Sequence, residues 1–128
     1  MLPKLQSSNG KSPMYCQMYS NPFFSKMQTL ALDQERSLEQ KCSEKLLHEN
    51  GLWFYRENTG KTVEGSVHGA RNTMVQLQLD HEFFPSGDDI HSRFPALKTK
   101  GTAFLGVYEA TAGHIWSSAA CAAMACIA

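Results

Sequence analysis

The sequence has no excess of either charge sign. Lysine and arginine number 12, aspartate and glutamate 12, and the net charge is zero with neutral histidine. Proteins that neutralise phosphates carry a basic excess or a basic face. The densest basic stretch, Arg93, Lys98 and Lys100, is ordinary loop chemistry, so nucleic acid is not an expected partner. A chain near zero charge also lacks colloidal protection, which favours self-association.

Cysteine is sparse. Cys16, Cys42, Cys121 and Cys126 are too few for a disulfide scaffold in 128 residues, and no C-x-x-C occurs. The start lacks the apolar run of a secretory signal. No N-x-S/T acceptor occurs, since Gly60 and Met74 stand two places after Asn58 and Asn72. These absences lead us to expect free thiols and a cytoplasmic setting. No prenylation box is expected, because Cys126 is third from the end where the box needs the fourth.

Phosphate loops and nucleophile elbows also fail on spacing. Gly60-Lys61-Thr62 and Gly10-Lys11-Ser12 match the end of a Walker A loop, but Tyr55 and Leu5 stand where its first glycine belongs. Glu64-Gly65-Ser66-Val67 does not complete G-x-S-x-G. No cysteine or histidine carries a catalytic signature, and no catalytic residue is assigned.

What is present reads as a single α+β domain over 26–128 behind an irregular arm over 1–25. The arm is broken by Pro3, Pro13 and Pro22. Its Met14, Tyr15, Met18, Tyr19, Phe23 and Phe24 are expected to pack on the body, with partner docking as the alternative. Residues 26–49 predict a helix, or two helices meeting near Gln34 and Glu35, from the stripe Met27, Leu30, Ala31, Leu38, Cys42, Leu46. Asn50-Gly51 supplies its stop.

Strands are then predicted at 52–55, 62–67, 73–83 and 102–108. Asn58-Thr59-Gly60 and 68–72 are the expected turns. The 73–83 stretch alternates, with Val75, Leu77, Leu79, His81 and Phe83 against Gln76, Gln78, Asp80 and Glu82. The expected architecture is an N-terminal helix packed on an antiparallel sheet of about four strands. The tail from Ala110 onward has no Asp, Glu, Lys or Arg and is rich in alanine. It predicts a second, C-terminal helix rather than a membrane span, because alanine contributes little to insertion.

Asp80, Glu82, Asp89 and His91 are the one candidate metal set, being carboxylates and imidazole close in sequence. His81 faces away from Asp80 and Glu82 in an extended chain and reads as structural. No cofactor is expected beyond a divalent ion at that cluster. The leading functional expectation is a non-catalytic interaction protein with a protein partner or a second copy of itself. The alternatives are a small metal-dependent hydrolase using the acidic cluster, and a fragment or unevolved frame.

Overall fold

The structure is a computed structural model that describes residues 13–60 and 65–127. The Gly10-Lys11-Ser12 fragment, Lys61-Thr62 and half of the expected 62–67 strand lie outside the described residues; its other half is not a strand, because Ser66 caps a helix that begins at Val67. In order, the elements are β1 (Met14–Tyr15), α1 (Pro22–Cys42), β2 (Leu47–Glu49), β3 (Leu52–Glu57) and α2 (Val67–Gln76). There follow β4 (Glu82–Phe84), α3 (Gly87–Arg93), β5 (Phe104–Glu109), β6 (Gly113–Ile115) and α4 (Ser117–Ile127).

The fold is α+β, with two antiparallel sheets rather than one. Sheet A runs β1-β6-β2 and sheet B runs β3-β5-β4. In sheet A, Leu47 pairs with Ile115 and Met14 with His114. In sheet B, Trp53 pairs with Tyr108, and Glu82 pairs with Tyr108 from the other side.

α1 starts earlier and ends earlier than its periodicity suggested. Asn21 caps it, its side chain accepting from the Phe23 N–H at 2.9 Å, and Pro22 occupies the first turn where no N–H is needed. Ser43, at φ 56°, ends it in the left-handed region. Glu39 then takes the next segment out of the helix: its Oε1 accepts from the Leu46 and Leu47 N–H groups at 2.6 and 2.8 Å. Leu46 and Leu47 are thereby buried outside the helix, and Leu47 packs with Tyr15 and Leu32 on sheet A.

Asn50-Gly51 is a corner between the two sheets. Both N–H groups donate to the Ala112 carbonyl. Gly51 has φ 78°, and a Cβ there would collide with the Tyr108 hydroxyl, so only glycine fits. The Asn58-Thr59-Gly60 turn forms with Asn58 Oδ1 accepting from the Gly60 N–H at 3.1 Å.

The 73–83 strand is corrected by the structure: residues 67–76 are α2, and only 82–84 are extended. Ser66 caps α2 by accepting from the Gly69 N–H at 2.9 Å. The helix buries Val67, Ala70 and Met74, a helical spacing that joins Met18, Leu105 and Val107 in the main core. Val75, expected on the dry face, is 57% exposed. The supposed second turn, 68–72, is the first part of this helix.

Sheet B is covered on both faces. Leu105, Val107, Leu52 and Phe54 face α2. On the opposite face Trp53 packs with Phe84, Phe94 and Tyr108, at centroid distances of 4.7, 4.5 and 5.4 Å. The alanine-rich tail is α4, docked through Ala120 and Ala123 onto Leu46 with Leu38 and Cys42 beside them. Among the described residues no helix is long and apolar enough to cross a membrane.

Candidate interaction face

The segment 16–20 fixes how α1 faces the domain. On β5, Leu105, Val107 and Glu109 share the core side by strand alternation. Glu109 therefore points inward and has no exposure. Its Oε2 accepts from the Gln17 N–H at 2.8 Å, and its Oε1 accepts from the Thr111 hydroxyl at 3.4 Å. Burial pushes the Glu109 carboxyl above its ordinary pKa, against the two hydrogen bonds that lower it.

The same segment ties directly to α1. The Ser25 hydroxyl donates to the Gln17 carbonyl at 2.7 Å, and Gln17 Nε2 donates to Thr29 Oγ1 at 2.6 Å. Thr73 of α2 donates to the Ser20 carbonyl at 3.0 Å. Thus the N-terminal half of α1 turns Ser25 and Thr29 inward, where their hydroxyls satisfy the segment's polar groups.

The consequence is an inverted helix. Phe23, Phe24, Met27 and Leu30 stand on the outer side, 60%, 49%, 52% and 64% exposed. Their spacing is i, i+1, i+4, i+7, a continuous apolar row on one side of the helix. Phe23 and Phe24 meet edge to face at 5.5 Å, and Tyr19 adjoins Phe24 at 6.0 Å. A helix lying against its own domain normally reverses this arrangement. Completing the burial of each side chain on a partner would recover roughly half of the 1.5–3 kcal/mol that full burial supplies.

Of the arm's large apolar and aromatic residues, Tyr15 and Met18 pack inside, whereas Met14, Phe23 and Phe24 are exposed. The sequence reading missed the outer row because it began the helix at residue 26 and set Met27 and Leu30 in one stripe with Leu38 and Cys42. The Asn21-Pro22 cap was the available signal. It missed Glu109 as well, although a lone acid closing an apolar strand was visible.

The candidate metal residues are engaged separately. Asp80 is exposed. Glu82 Oε2 lies 3.5 Å from Arg93 Nε. Asp89 caps α3 reciprocally with Ser86, whose Oγ donates to Asp89 Oδ2 and accepts from the Asp89 N–H. His91 Nδ1 bonds the Leu97 carbonyl at 2.9 Å. Among the described residues no group of three or more His, Cys, Asp or Glu is placed to hold a metal ion. His81 is half-buried, with Nδ1 on the Leu79 carbonyl at 2.8 Å. A pocket of about 210 Å³ between β3 and α2 is lined by Arg56, Asn58 and His68, but Arg56 donates to the Gly65 carbonyl and His68 meets Asn58.

No protein-family model matches the chain, and no curated protein matches it. Solved structures do. The open form of NikD, described as an unusual amino acid oxidase essential for nikkomycin biosynthesis, superposes with a TM-score of 0.70 at 23% identity. The match covers 89% of this chain and 28% of NikD. The open form of a NikD mutant gives 0.69 and 22%, with the same coverage. The likeness is one of fold, and this chain spans little more than a quarter of those structures.

Proposed function

We propose that this chain is a non-catalytic interaction unit that docks through the outer side of α1 onto a partner polypeptide and completes a larger, amino-acid-oxidase-like fold. The observation that carries this reading is the inverted helix: Ser25 and Thr29 inside, Phe23, Phe24, Met27 and Leu30 outside. An exposed apolar row of this kind marks a contact surface. The length relationship supports a polypeptide occupant. In NikD, 72% of the chain lies outside the part that resembles this one (100 less the 28% matched), and a part of a folded protein packs against the rest. The proposal concerns docking and assigns no oxidase chemistry to this chain's own side chains.

The test places a photo-crosslinking amino acid at Met27 in the cell that makes the chain. The expected result is one adduct, mapping to a polypeptide that supplies the remaining length of such a fold. Adducts only with a second copy of the chain, or none at all, would overturn the proposal.

A further inference from the structure

α4 rests on the domain through its smallest residues. Ala120 and Ala123 are buried against Leu46, while Met124 and Ile127 remain 48% and 47% exposed. These two stand across a groove of about 450 Å³ from Glu35, Leu38 and Lys41 of α1. Leu38 and Lys41 are three residues apart on one wall, and Met124 and Ile127 three apart on the other. Walls built at that pitch receive the ridge of a third helix.

Gln34, Ser37 and Lys41 also line this groove, and Glu35 is its one carboxylate. It is half-buried, and its Oε2 is sealed from solvent with no hydrogen-bond partner among the described residues. Burial, helped by the charge of Glu39, raises the carboxyl above its ordinary pKa. A desolvated carboxylate without a donor favours a cation. Its terminal torsion is soft, so the carboxyl can turn to meet one. Lys41 is exposed on the rim and keeps its ammonium in water.

We infer that the α1/α4 groove seats a helix of the partner polypeptide whose apolar side carries one lysine or arginine, received by Glu35. The inference rests on the docking reading above and adds to it a second contact and the charge of the occupant. The similar oxidase structures have most of their length outside the matched part, which is long enough to supply such a helix.

The probe is a stapled amphipathic peptide of alanine and leucine with one central lysine on its apolar side, titrated into the full chain. A twin peptide carries norleucine in place of the lysine. The lysine peptide is expected to bind at least about 10-fold tighter, as a charge-assisted hydrogen bond implies. NMR shifts should fall on the Leu38, Met124 and Ile127 methyls and not on Met27. Glu35→Gln should erase the difference between the peptides without changing the norleucine affinity. Ile127→Glu should weaken both peptides. Equal affinities of the two peptides for the natural chain, or shifts confined to Met27, would overturn the inference. Either result leaves the Met27 crosslink as an independent reading of the first contact.

Discussion

The carboxylate of Glu109 accepts a hydrogen bond from the Gln17 N–H at 2.8 Å, across 92 positions of sequence. This one bond joins the end of β5 to the segment that leads into α1. The partners of Gln17 on its other side, Ser25 and Thr29, belong to α1 itself. The direction in which α1 presents its apolar row is therefore set from inside the domain. Glu109→Ala should cost about 1–3 kcal/mol in urea unfolding, because it strands a buried N–H. It should also raise hydrogen exchange at Gln17 and in the first turns of α1.

Glu109 has a defined pH signature. Its folded pKa is raised, so the folded state holds a proton that the unfolded state releases. Its contribution to stability is full below the unfolded pKa, about 4.3, and is lost as pH rises through the raised folded value. Glu109→Gln keeps an acceptor for the Gln17 N–H and removes the titration. The variant should show a smaller loss of stability than the natural chain when urea midpoints are followed upward from about pH 4.

The outer row of α1 should be dispensable for folding. Met27→Glu combined with Leu30→Glu replaces exposed side chains and should change unfolding stability by no more than about 0.5 kcal/mol each. It should suppress concentration-dependent self-association in light scattering. Leu32, 2% exposed on the inner side of the same helix, provides the contrast: Leu32→Ala should cost about 2–5 kcal/mol. Strong destabilisation by the Met27/Leu30 pair would show that this side is internal after all.

The sequence carried the α+β class, the β5 strand and the C-terminal helix, because these depend on local pattern. It misled at 73–83, where alternation of Val75, Leu77 and Leu79 with glutamines imitates a strand. The decisive signals lay outside that window: the Ser66 cap and the helical spacing of Val67, Ala70 and Met74. The two-sheet division was not legible, since it turns on Asn50 and Gly51 sharing the Ala112 carbonyl. Nor was the inverted polarity of α1, which exists only because residue 17 folds back beneath Ser25 and Thr29. Asp89 and His91 sit close in sequence to Glu82, yet each is engaged by a different local partner.

Glu39 should act on the acid side. Burial pushes its carboxyl up but is outweighed by the Leu47 and Leu46 N–H groups and by Lys45, which hold it below its ordinary pKa. Its stabilisation is present above the unfolded pKa, about 4.3, and is lost as pH falls through the lowered folded value. Glu39→Gln should flatten the acid limb of the stability profile while leaving the alkaline limb unchanged. Glu39→Ala should cost about 1–3 kcal/mol at neutral pH, through the unpaired N–H groups at the start of β2.

Tyr15 gives a prediction of opposite sign. Its ring is buried with Leu32 and Leu47, and its hydroxyl is buried with no hydrogen-bond partner among the described residues. Burial first, then the charge of Glu49, raises its pKa to about 12. The protonated phenol is therefore favoured in the folded state, and its contribution is lost as pH rises from about 10 through that value. Ultraviolet titration of the folded chain should show a tyrosine that resists ionisation until about pH 12. Tyr15→Phe removes the stranded hydroxyl and keeps the ring. It should leave stability unchanged or raise it by up to about 1 kcal/mol, because an unsatisfied buried polar group is a cost and not a contact. A loss of more than about 1 kcal/mol would mean that the hydroxyl has a partner in solution. Arg36, which bridges to Glu49 at 3.2 Å and whose charge already acts on the phenol, would be the first donor to examine by repeating the substitution in Arg36→Met.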